Sequence, residues 1–223
     1  MKYFLFSATK GSKKDTLLFN SSTEKWFFKE NNKKSLAKVY NKALQFGKQE
    51  DVDFVVLCHD DVIIESTDFL YRLQDLHRKY DIVGVAGTTE CTIQEPILWH
   101  LMGGGFQGGN LRGAVSHGDA TNKHMTSFGA FPSPVVLADG VFLSVSKTVF
   151  DKVTFDETCP SKFHMYDLSF CLDASLAKLR VGVGDILITH ASPGLREFTP
   201  EFLEGQKWFL SKYQQYAGKK LTV

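Results

Sequence analysis

A chain of 223 residues, 43% hydrophobic and 23% charged, has the composition of an ordinary soluble protein. This length suits one domain with a substantial core, and we expect a single domain over residues 1–223. Lysine and arginine (26) balance aspartate and glutamate (25), so the formal net charge of +1 argues against a nucleic-acid partner held by bulk electrostatics.

Three further features bear on where the protein works. The apolar run near the start is too short for a signal peptide, and lysines follow it at once, so a first strand explains it better. No segment approaches the roughly 20 apolar residues that span a bilayer. The cysteines form no CxxC pair, which predicts reduced, buried thiols in a cytoplasmic protein; they are Cys58, Cys91, Cys159 and Cys171.

Strand-like runs and helical patterns alternate along the chain, which favours an α/β fold with a mostly parallel central sheet. The predicted strands cover residues 3–8, 26–28, 82–86, 135–137, 140–145 and 181–189, with a further buried strand that starts at Phe54. The predicted helices cover residues 34–46 and 166–179, with two more that begin near Asp68 and Pro200. Glycines are expected to end two of the helices, Gly47 the first and Gly218 the last.

Residues 87–134 show no clear periodicity and contain a glycine-rich run, 103–110, in their middle. A loop of this length inside a domain is uncommon and is usually a lid or a binding loop. The glycine spacing matches neither a P-loop nor a dinucleotide-binding fingerprint, so we reject both. The alternative interpretation is a surface excursion without function.

The most informative stretch is the apolar strand from Phe54 to Cys58, which ends abruptly in His59, Asp60 and Asp61. Side chains at the carboxyl end of such a strand lie where open α/β sheets bind their ligands. Carboxylate oxygens suit hard divalent cations, and a cation there can hold the diphosphate of a nucleotide. The alternative is a solvated strand end at which Asp61 only starts a turn.

Polar residues interrupt the apolar framework at three more places where strands or helices begin or end. These places are Asp139 with Gly140, the segment 164–167, and His190. If these ends share one rim of the sheet, their oxygen donors and an imidazole suit Mn²⁺ or a similar divalent ion. Each has a structural alternative: His190 as a buried structural histidine, and Asp167 as an acid that complements a helix dipole. The functional interpretation of Asp167 is a general base.

The order of these motifs resembles that of GT-A glycosyltransferases, most of all the small family-2-like enzymes. Segments 136–143 and 163–168 are particularly similar, and the resemblance covers nearly the whole chain. It includes a similarity to viral members that glycosylate a capsid protein. The family implies the GT-A fold, in which helices flank a mostly parallel central sheet, and transfer of a sugar from a nucleotide-sugar donor.

His59, Asp60 and Asp61 match by position the Asp-x-Asp motif of the family, with histidine in place of the first acid. The resemblance implies that Asp61 and His190 bind Mn²⁺ or Mg²⁺. It places Asp60 near the ribose or diphosphate, and we group His59 with it among the nucleotide-binding residues. The loop after the first strand is expected to line the nucleotide base and ribose through Ser7, Thr9, Lys10 and Asp15.

The reaction implied by the resemblance is a single displacement with inversion at the anomeric carbon. Asp167 corresponds to the acid that removes a proton from the acceptor hydroxyl, and Asp139 to a residue that contacts the donor sugar or the acceptor. The donor implied is a UDP-linked hexose or deoxyhexose, rhamnose among them, and the acceptor is a glycan or glycoprotein. Such a protein acts in the cytoplasm, that of the host if it is viral, and can form part of a larger multidomain protein.

Two other functions remain open at this point. Nucleotidyltransferases also use α/β sheets with acidic metal ligands, and they often carry a glycine-rich, basic loop after the first strand, which residues 10–14 partly resemble. The other alternative is a sugar- or nucleotide-binding module that keeps the fold without turnover, because the first acid of the motif is missing.

Overall fold

The computed structural model, which describes residues 1–119, 121–192, 194–195 and 197–223, contains two large β-sheets and six α-helices. The helices are α1 (Leu17–Ser21), α2 (Leu36–Gln49), α3 (Phe69–Leu76), α4 (Trp99–Met102), α5 (Tyr166–Leu176) and α6 (Pro200–Lys212). The strands are β1 (Tyr3–Ala8), β2 (Phe27–Lys29), β3 (Phe54–Cys58), β4 (Val62–Ile64), β5 (Ile82–Gly84), β6 (Ala86–Thr88), β7 (Glu90–Thr92), β8 (Leu111–Gly118), β9 (Lys123–Gly129), β10 (Ser133–Pro134), β11 (Leu137–Ala138), β12 (Phe142–Ser146), β13 (Val181–Val183), β14 (Ile188–His190) and β15 (Lys220–Thr222).

The central sheet has seven strands in the order β10-β13-β5-β12-β3-β1-β2. Every residue of β3 is buried, as its unbroken apolar sequence predicts, and α2 packs against β1 and β3. The α/β class is confirmed, but the sheet is mixed rather than mostly parallel, with three parallel and three antiparallel pairings. Two of the antiparallel pairings involve β12, which follows β11 of the second sheet and runs against both of its neighbours in the central sheet. The third joins β10 to β13 at the edge of the sheet.

A second sheet occupies much of the segment for which the sequence predicts only a long loop. Its strand order is β11-β6-β8-β14-β4, and β9 pairs with β8 in an antiparallel hairpin. The prediction of a loop over residues 87–134 is therefore wrong where these strands form. β8 is mostly buried and β9 mostly exposed, so neither strand has the alternation of apolar and polar residues that marks a half-buried strand.

The last predicted strand, 181–189, is two strands that belong to different sheets. β13 lies in the central sheet, β14 lies in the second sheet, and residues 184–187 connect them. β14 then pairs with β4 and β8, so that its last residue, His190, reaches the place where β4 begins. The break between β13 and β14 is what brings His190 there.

The helix α2 does not end at Gly47, contrary to the prediction, but continues to Gln49. A Cβ atom on Gly47 would lie 2.4 Å from Val55 Cγ2. Glycine at this position therefore allows the helix to pack closely on the central sheet, and it does not serve as a helix stop.

The helix α6 begins as predicted and ends earlier than predicted. The Thr199 side chain accepts a hydrogen bond from the Phe202 N–H, and Pro200 occupies the first turn, where its missing N–H costs nothing. The helix ends at Lys212, and Gly218 instead adopts a left-handed φ of 68° in the turn before β15.

The four cysteines are free and buried, as predicted. Burial raises the pKa of the Cys159 thiol to about 11, so it remains protonated and unreactive at neutral pH. Within the described part of the chain, no helix combines the length and the apolar character needed to cross a membrane.

Candidate functional site

Three of the predicted polar residues come together where the two sheets meet. His59 directly follows β3, Asp61 directly precedes β4, and His190 is the last residue of β14. Because β14 pairs with β4, His190 lies opposite Val62, and the Ala191 N–H donates to Asp61 O at 3.0 Å. The strand pairing therefore holds His190 against the loop that carries the other two residues.

The side chains of His59, Asp61 and His190 form a candidate metal centre, in which one ligand atom from each lies within 4.8 Å of the other two. Asp61 Oδ1 lies 3.3 Å from His190 Nε2, but this buried oxygen accepts no hydrogen bond from the described residues. A buried carboxylate oxygen without a donor suits a cation. Two imidazoles and one carboxylate favour Mn²⁺ or another first-row transition ion over Mg²⁺, which prefers oxygen ligands.

The candidate metal centre contains one residue, His59, that the sequence places with the nucleotide. Asp61 and His190, the two predicted metal ligands, do lie together. A neutral imidazole donates a lone pair to a metal, as a carboxylate does. The departure from the Asp-x-Asp pattern at His59 therefore does not reduce the number of candidate ligands.

Burial and the Asp61 carboxylate set the charges of this cluster. Burial lowers the pKa of His59, and the neighbouring His190 lowers it further, so the His59 imidazole is neutral. Burial alone would lower the pKa of His190, but the adjacent Asp61 outweighs it and raises that pKa overall. Burial alone would raise the pKa of Asp61, but His190 outweighs it, so the pKa is lowered and the carboxylate is ionised.

Tyr166, the first residue of α5, is hydrogen-bonded to His59. His59 Nε2 lies 2.9 Å from Tyr166 Oη, and the tyrosine hydroxyl donates to Gly140 O at 3.1 Å. A Cβ atom on residue 140 would lie 2.3 Å from Tyr166 Oη, so this approach requires glycine. The predicted segments 139–140 and 164–167 therefore meet next to His59, at one side of the candidate metal centre.

The carboxylates of Asp139 and Asp167 are both fixed by hydrogen bonds at this meeting point. The Gly140 N–H donates to Asp167 Oδ2 at 2.8 Å, and the Val141 N–H donates to Asp139 Oδ1 at 2.8 Å. The Trp99 indole N–H donates to Asp139 Oδ2 at 2.7 Å. Burial and the nearby Asp139 raise the pKa of Asp167 to about 7. A carboxylate with this pKa is suited to accept a proton at neutral pH.

A cavity of about 650 Å³, which we call the basic cavity, lies beside the metal candidates. Four lysines line it: Lys10, Lys33, Lys34 and Lys162. Of the residues predicted to bind the nucleotide, four line this cavity: Thr9, Lys10, His59 and Asp60. Ser7 is instead buried within β1, and Asp15 is exposed in a short turn, so neither belongs to the described lining.

A second cavity, of about 460 Å³, meets the basic cavity at three residues that line both, namely His59, Asp61 and Phe163. We call it the aromatic cavity, because Trp99, Phe106 and Phe128 form a continuous part of its wall. The Phe128 ring lies 5.0 Å from the Trp99 ring and stacks on Phe106 at 5.6 Å. Asp139 and Asp167 line the same cavity, and its described lining includes no lysine or arginine.

Sequence patterns do not mark most of the residues that give the two cavities their character. Phe106 lies in the glycine-rich run, where Gly105 and Gly109 have left-handed φ values of 68° and 71° and leave the Phe106 ring 65% exposed. The glycines signalled a loop, but no pattern marked the aromatic residue within it. Lys162 directly precedes the segment 163–168 but carries no signal of its own, and only the folded chain brings it into the same cavity as Lys10.

Residues 17–213 match a family described as "Glycosyltransferase like family", and the chain belongs to this family. The resemblance inferred from the order of the motifs is thereby confirmed. A search of curated proteins finds no match.

Solved structures with a similar fold include A197 from STIV, with 16% identity, 86% of each chain covered and a TM-score of 0.49. Another is a glycosyltransferase involved in the glycosylation of the major capsid of PBCV-1, with 11% identity, 93% of this chain and 100% of that chain covered, and a TM-score of 0.41. A third is the inositol-1-phosphate CTP transferase from T. maritima, with 14% identity, 93% and 78% coverage, and a TM-score of 0.38.

Proposed function

We propose that the protein is a metal-dependent glycosyltransferase that moves a hexose or deoxyhexose from a UDP-sugar to a hydroxyl of a glycan acceptor. The observation that carries this proposal is the meeting of the basic and aromatic cavities at the candidate metal centre. A nucleotide-sugar has an anionic diphosphate and a neutral sugar, and the two cavities match this asymmetry. The family membership supports transfer of a sugar, and we regard residues 1–223 as one catalytic domain.

The basic cavity is the proposed site of the nucleotide. Its lysines supply positive charge for the diphosphate, while Thr9 and Asp60 lie on the wall where the ribose would bind. A divalent ion held by His59, Asp61 and His190 would neutralise the charge that develops on the leaving diphosphate. The choice of UDP, and of rhamnose among the sugars, rests on the sequence resemblance to viral members of the family.

The aromatic cavity is the proposed site of the donor sugar and the acceptor. Aromatic rings offer an apolar face to the C–H groups of a sugar, and Trp99, Phe106 and Phe128 supply such faces. Asp139 is fixed by two hydrogen bonds, and its proposed role is to accept a hydrogen bond from a hydroxyl group of the donor sugar or the acceptor. Neutral sugars fit a wall whose described residues include no cationic lysine or arginine.

Asp167 is the proposed general base of an inverting displacement. The acceptor oxygen forms a bond to the anomeric carbon while the bond from that carbon to the diphosphate oxygen breaks. The hydroxyl proton moves to the Asp167 carboxylate, whose pKa of about 7 suits this role. The nucleoside diphosphate leaves with the electron pair of the broken bond.

The test is release of free nucleotide from UDP-, GDP- and dTDP-sugars, with Mn²⁺ or with a chelator, and with and without a glycan acceptor. We expect Mn²⁺-dependent release of UDP that increases with acceptor. Formation of diphosphate from a nucleoside triphosphate and a sugar phosphate would instead identify a nucleotidyltransferase. UDP binding without donor consumption would identify a binding module, and failure to bind UDP in the presence of Mn²⁺ would overturn the proposal of a UDP-sugar.

A further inference from the structure

The Tyr166 hydroxyl lies between His59 and the backbone carbonyl of Gly140, and its partners bear on which ring nitrogen of His59 carries the proton. Nε2 lies 2.9 Å from Tyr166 Oη, and the hydroxyl donates its single proton to Gly140 O at 3.1 Å. With its proton on Gly140 O, the hydroxyl accepts from His59. In this arrangement Nε2 carries the proton, and the lone pair of the neutral ring lies on Nδ1.

We propose that Tyr166 is a positioning residue that holds His59 in the Nε2–H tautomer and thereby presents the Nδ1 lone pair to the metal. Histidines that bind metals commonly donate their other N–H to a fixed acceptor, which sets both the tautomer and the orientation of the ring. Here the acceptor is a side chain that is itself anchored to the backbone at Gly140. The proposal rests on the proposed function in one respect, the presence of a metal at His59, Asp61 and His190.

Packing holds the Tyr166 ring in place independently of its hydroxyl. The side chain is 3% exposed, and the rings of Tyr40 and Phe155 lie 5.6 Å and 6.1 Å from it. The Phe163 ring lies 5.3 Å from the His59 ring. Replacement of Tyr166 by phenylalanine therefore removes the hydrogen bond and retains the shape of the ring.

The first experiment measures the affinity of the protein for Mn²⁺ alone, by calorimetry or by the electron paramagnetic resonance of the free ion. We expect Tyr166→Phe to bind Mn²⁺ about 10- to 100-fold more weakly than the unaltered protein, as is usual when the partner of a ligating histidine is lost. Tyr213→Phe is the matched control. It also removes a buried hydroxyl that is hydrogen-bonded to α5, through Ser169 O at 3.1 Å, but lies away from His59 and should retain full affinity.

The second experiment identifies the tautomer of His59 in the metal-free protein by ¹⁵N nuclear magnetic resonance, with the signal assigned by His59→Asn. The Nε2–H tautomer is expected in the unaltered protein, and loss of that preference in Tyr166→Phe. An Nδ1–H tautomer in the unaltered protein, or equal Mn²⁺ affinity in the two proteins, overturns the role of Tyr166 and leaves the proposed transferase intact. Failure of the unaltered protein to bind Mn²⁺ overturns the metal centre and this inference together.

Discussion

The basic cavity and the aromatic cavity share His59, Asp61 and Phe163, yet the rest of their walls differ in kind. The lysines of the basic cavity are exposed side chains on flexible stems, and they act through charge. Asp139 and Asp167 of the aromatic cavity are partly buried, and each is held by hydrogen bonds from neighbouring groups. One cavity is thus adaptable, and the other has a fixed geometry.

This difference fits the two tasks of the proposed reaction. Neutralising a diphosphate requires positive charge nearby but tolerates variation in position, because electrostatic attraction has no strong directional preference. Proton transfer requires an acceptor within hydrogen-bond reach of one hydroxyl, and groups fixed in advance avoid reorganisation during the reaction. We therefore expect changes at the junction and at the fixed acid Asp167 of the aromatic cavity to have large effects, and changes at exposed side chains of either cavity to have small ones.

The largest effect is expected at the junction of the two cavities, from Asp61→Asn. This change removes the only carboxylate of the described candidate metal centre. Loss of a residue that only hydrogen-bonds to a metal ligand costs up to roughly 100-fold, so loss of a ligand itself should lower Mn²⁺ affinity and nucleotide release by more than that. Binding calorimetry with Mn²⁺ and an assay of nucleotide release measure the two quantities. Asp60→Asn is the matched control, because Asp60 lines the basic cavity outside the cluster and its loss should spare Mn²⁺ binding. Unchanged activity in Asp61→Asn would contradict the proposed metal centre.

The next largest effect is expected from Asp167→Asn in the aromatic cavity. Loss of a general base typically slows a reaction by about 10²- to 10⁴-fold, whereas binding of UDP and Mn²⁺ should be retained. In the unaltered protein, kcat/KM should rise with pH through about 7, because the base must be deprotonated. A steady-state pH profile tests this, and loss of UDP binding in the variant would show that Asp167 has a structural role instead.

The same carboxylate should also affect stability, with a sign that follows from its raised pKa. The pKa of Asp167 is about 7 in the folded protein, against 3.8 without the surrounding structure, so folding favours the protonated form. Its contribution to stability is therefore complete below pH 3.8 and is lost as the pH rises through about 7. The Tm of Asp167→Asn relative to that of the unaltered protein should increase over this range, and thermal unfolding at several pH values measures it.

Contiguous features of the site could be predicted from the sequence, and features assembled from distant segments could not. The run from Phe54 to Asp61 can be recognised because a buried strand and its polar end adjoin in the chain. His190 is predicted as a polar strand end, but its position depends on the break between β13 and β14. The break falls at Gly184 and Asp185, a pair typical of turns, which the prediction of one continuous strand over 181–189 does not take into account. The Trp99 contact to Asp139 joins residues 40 positions apart, and it carries no local signal.

The aromatic cavity shows the same limit, because part of its wall lies on strands of the second sheet, namely His117, Thr126, Phe128 and His190. Phe128 lies on β9, whose mostly exposed residues show no strand periodicity, and β9 is recognisable only through its pairing with β8. The basic cavity includes Thr9 and Lys10, which lie in the loop after β1. The sequence predicts these residues as nucleotide-binding, because the loop directly follows the first predicted strand. Tertiary pairing therefore decides the parts of the site that local patterns leave undetermined.

A smaller effect is expected from Phe106→Ala at the aromatic wall. Loss of an aromatic stacking contact is worth about 0.5–1.5 kcal/mol, which corresponds to roughly a 2- to 12-fold increase in the KM for the acceptor. The affinity for UDP should not change, because Phe106 does not belong to the described lining of the basic cavity. Phe131→Ala is the matched control, since Phe131 is also exposed, at 43%, and is not among the described residues lining either cavity. Equal effects of the two changes would contradict a specific role for Phe106.

The smallest effect is expected from Lys34→Ala in the basic cavity. An exposed charge contributes about 0.2–1 kcal/mol, so UDP affinity should fall by roughly 1.4- to 5-fold, and the difference should shrink as salt screens it. Lys14→Ala, at an exposed lysine that is not among the described residues lining this cavity, should leave UDP affinity unchanged. Titration with UDP at low and high salt distinguishes the two variants. A loss of 100-fold or more that persists in high salt would mean that Lys34 makes a fixed, directional contact, and the proposed contrast between an adaptable and a rigid cavity would then be wrong.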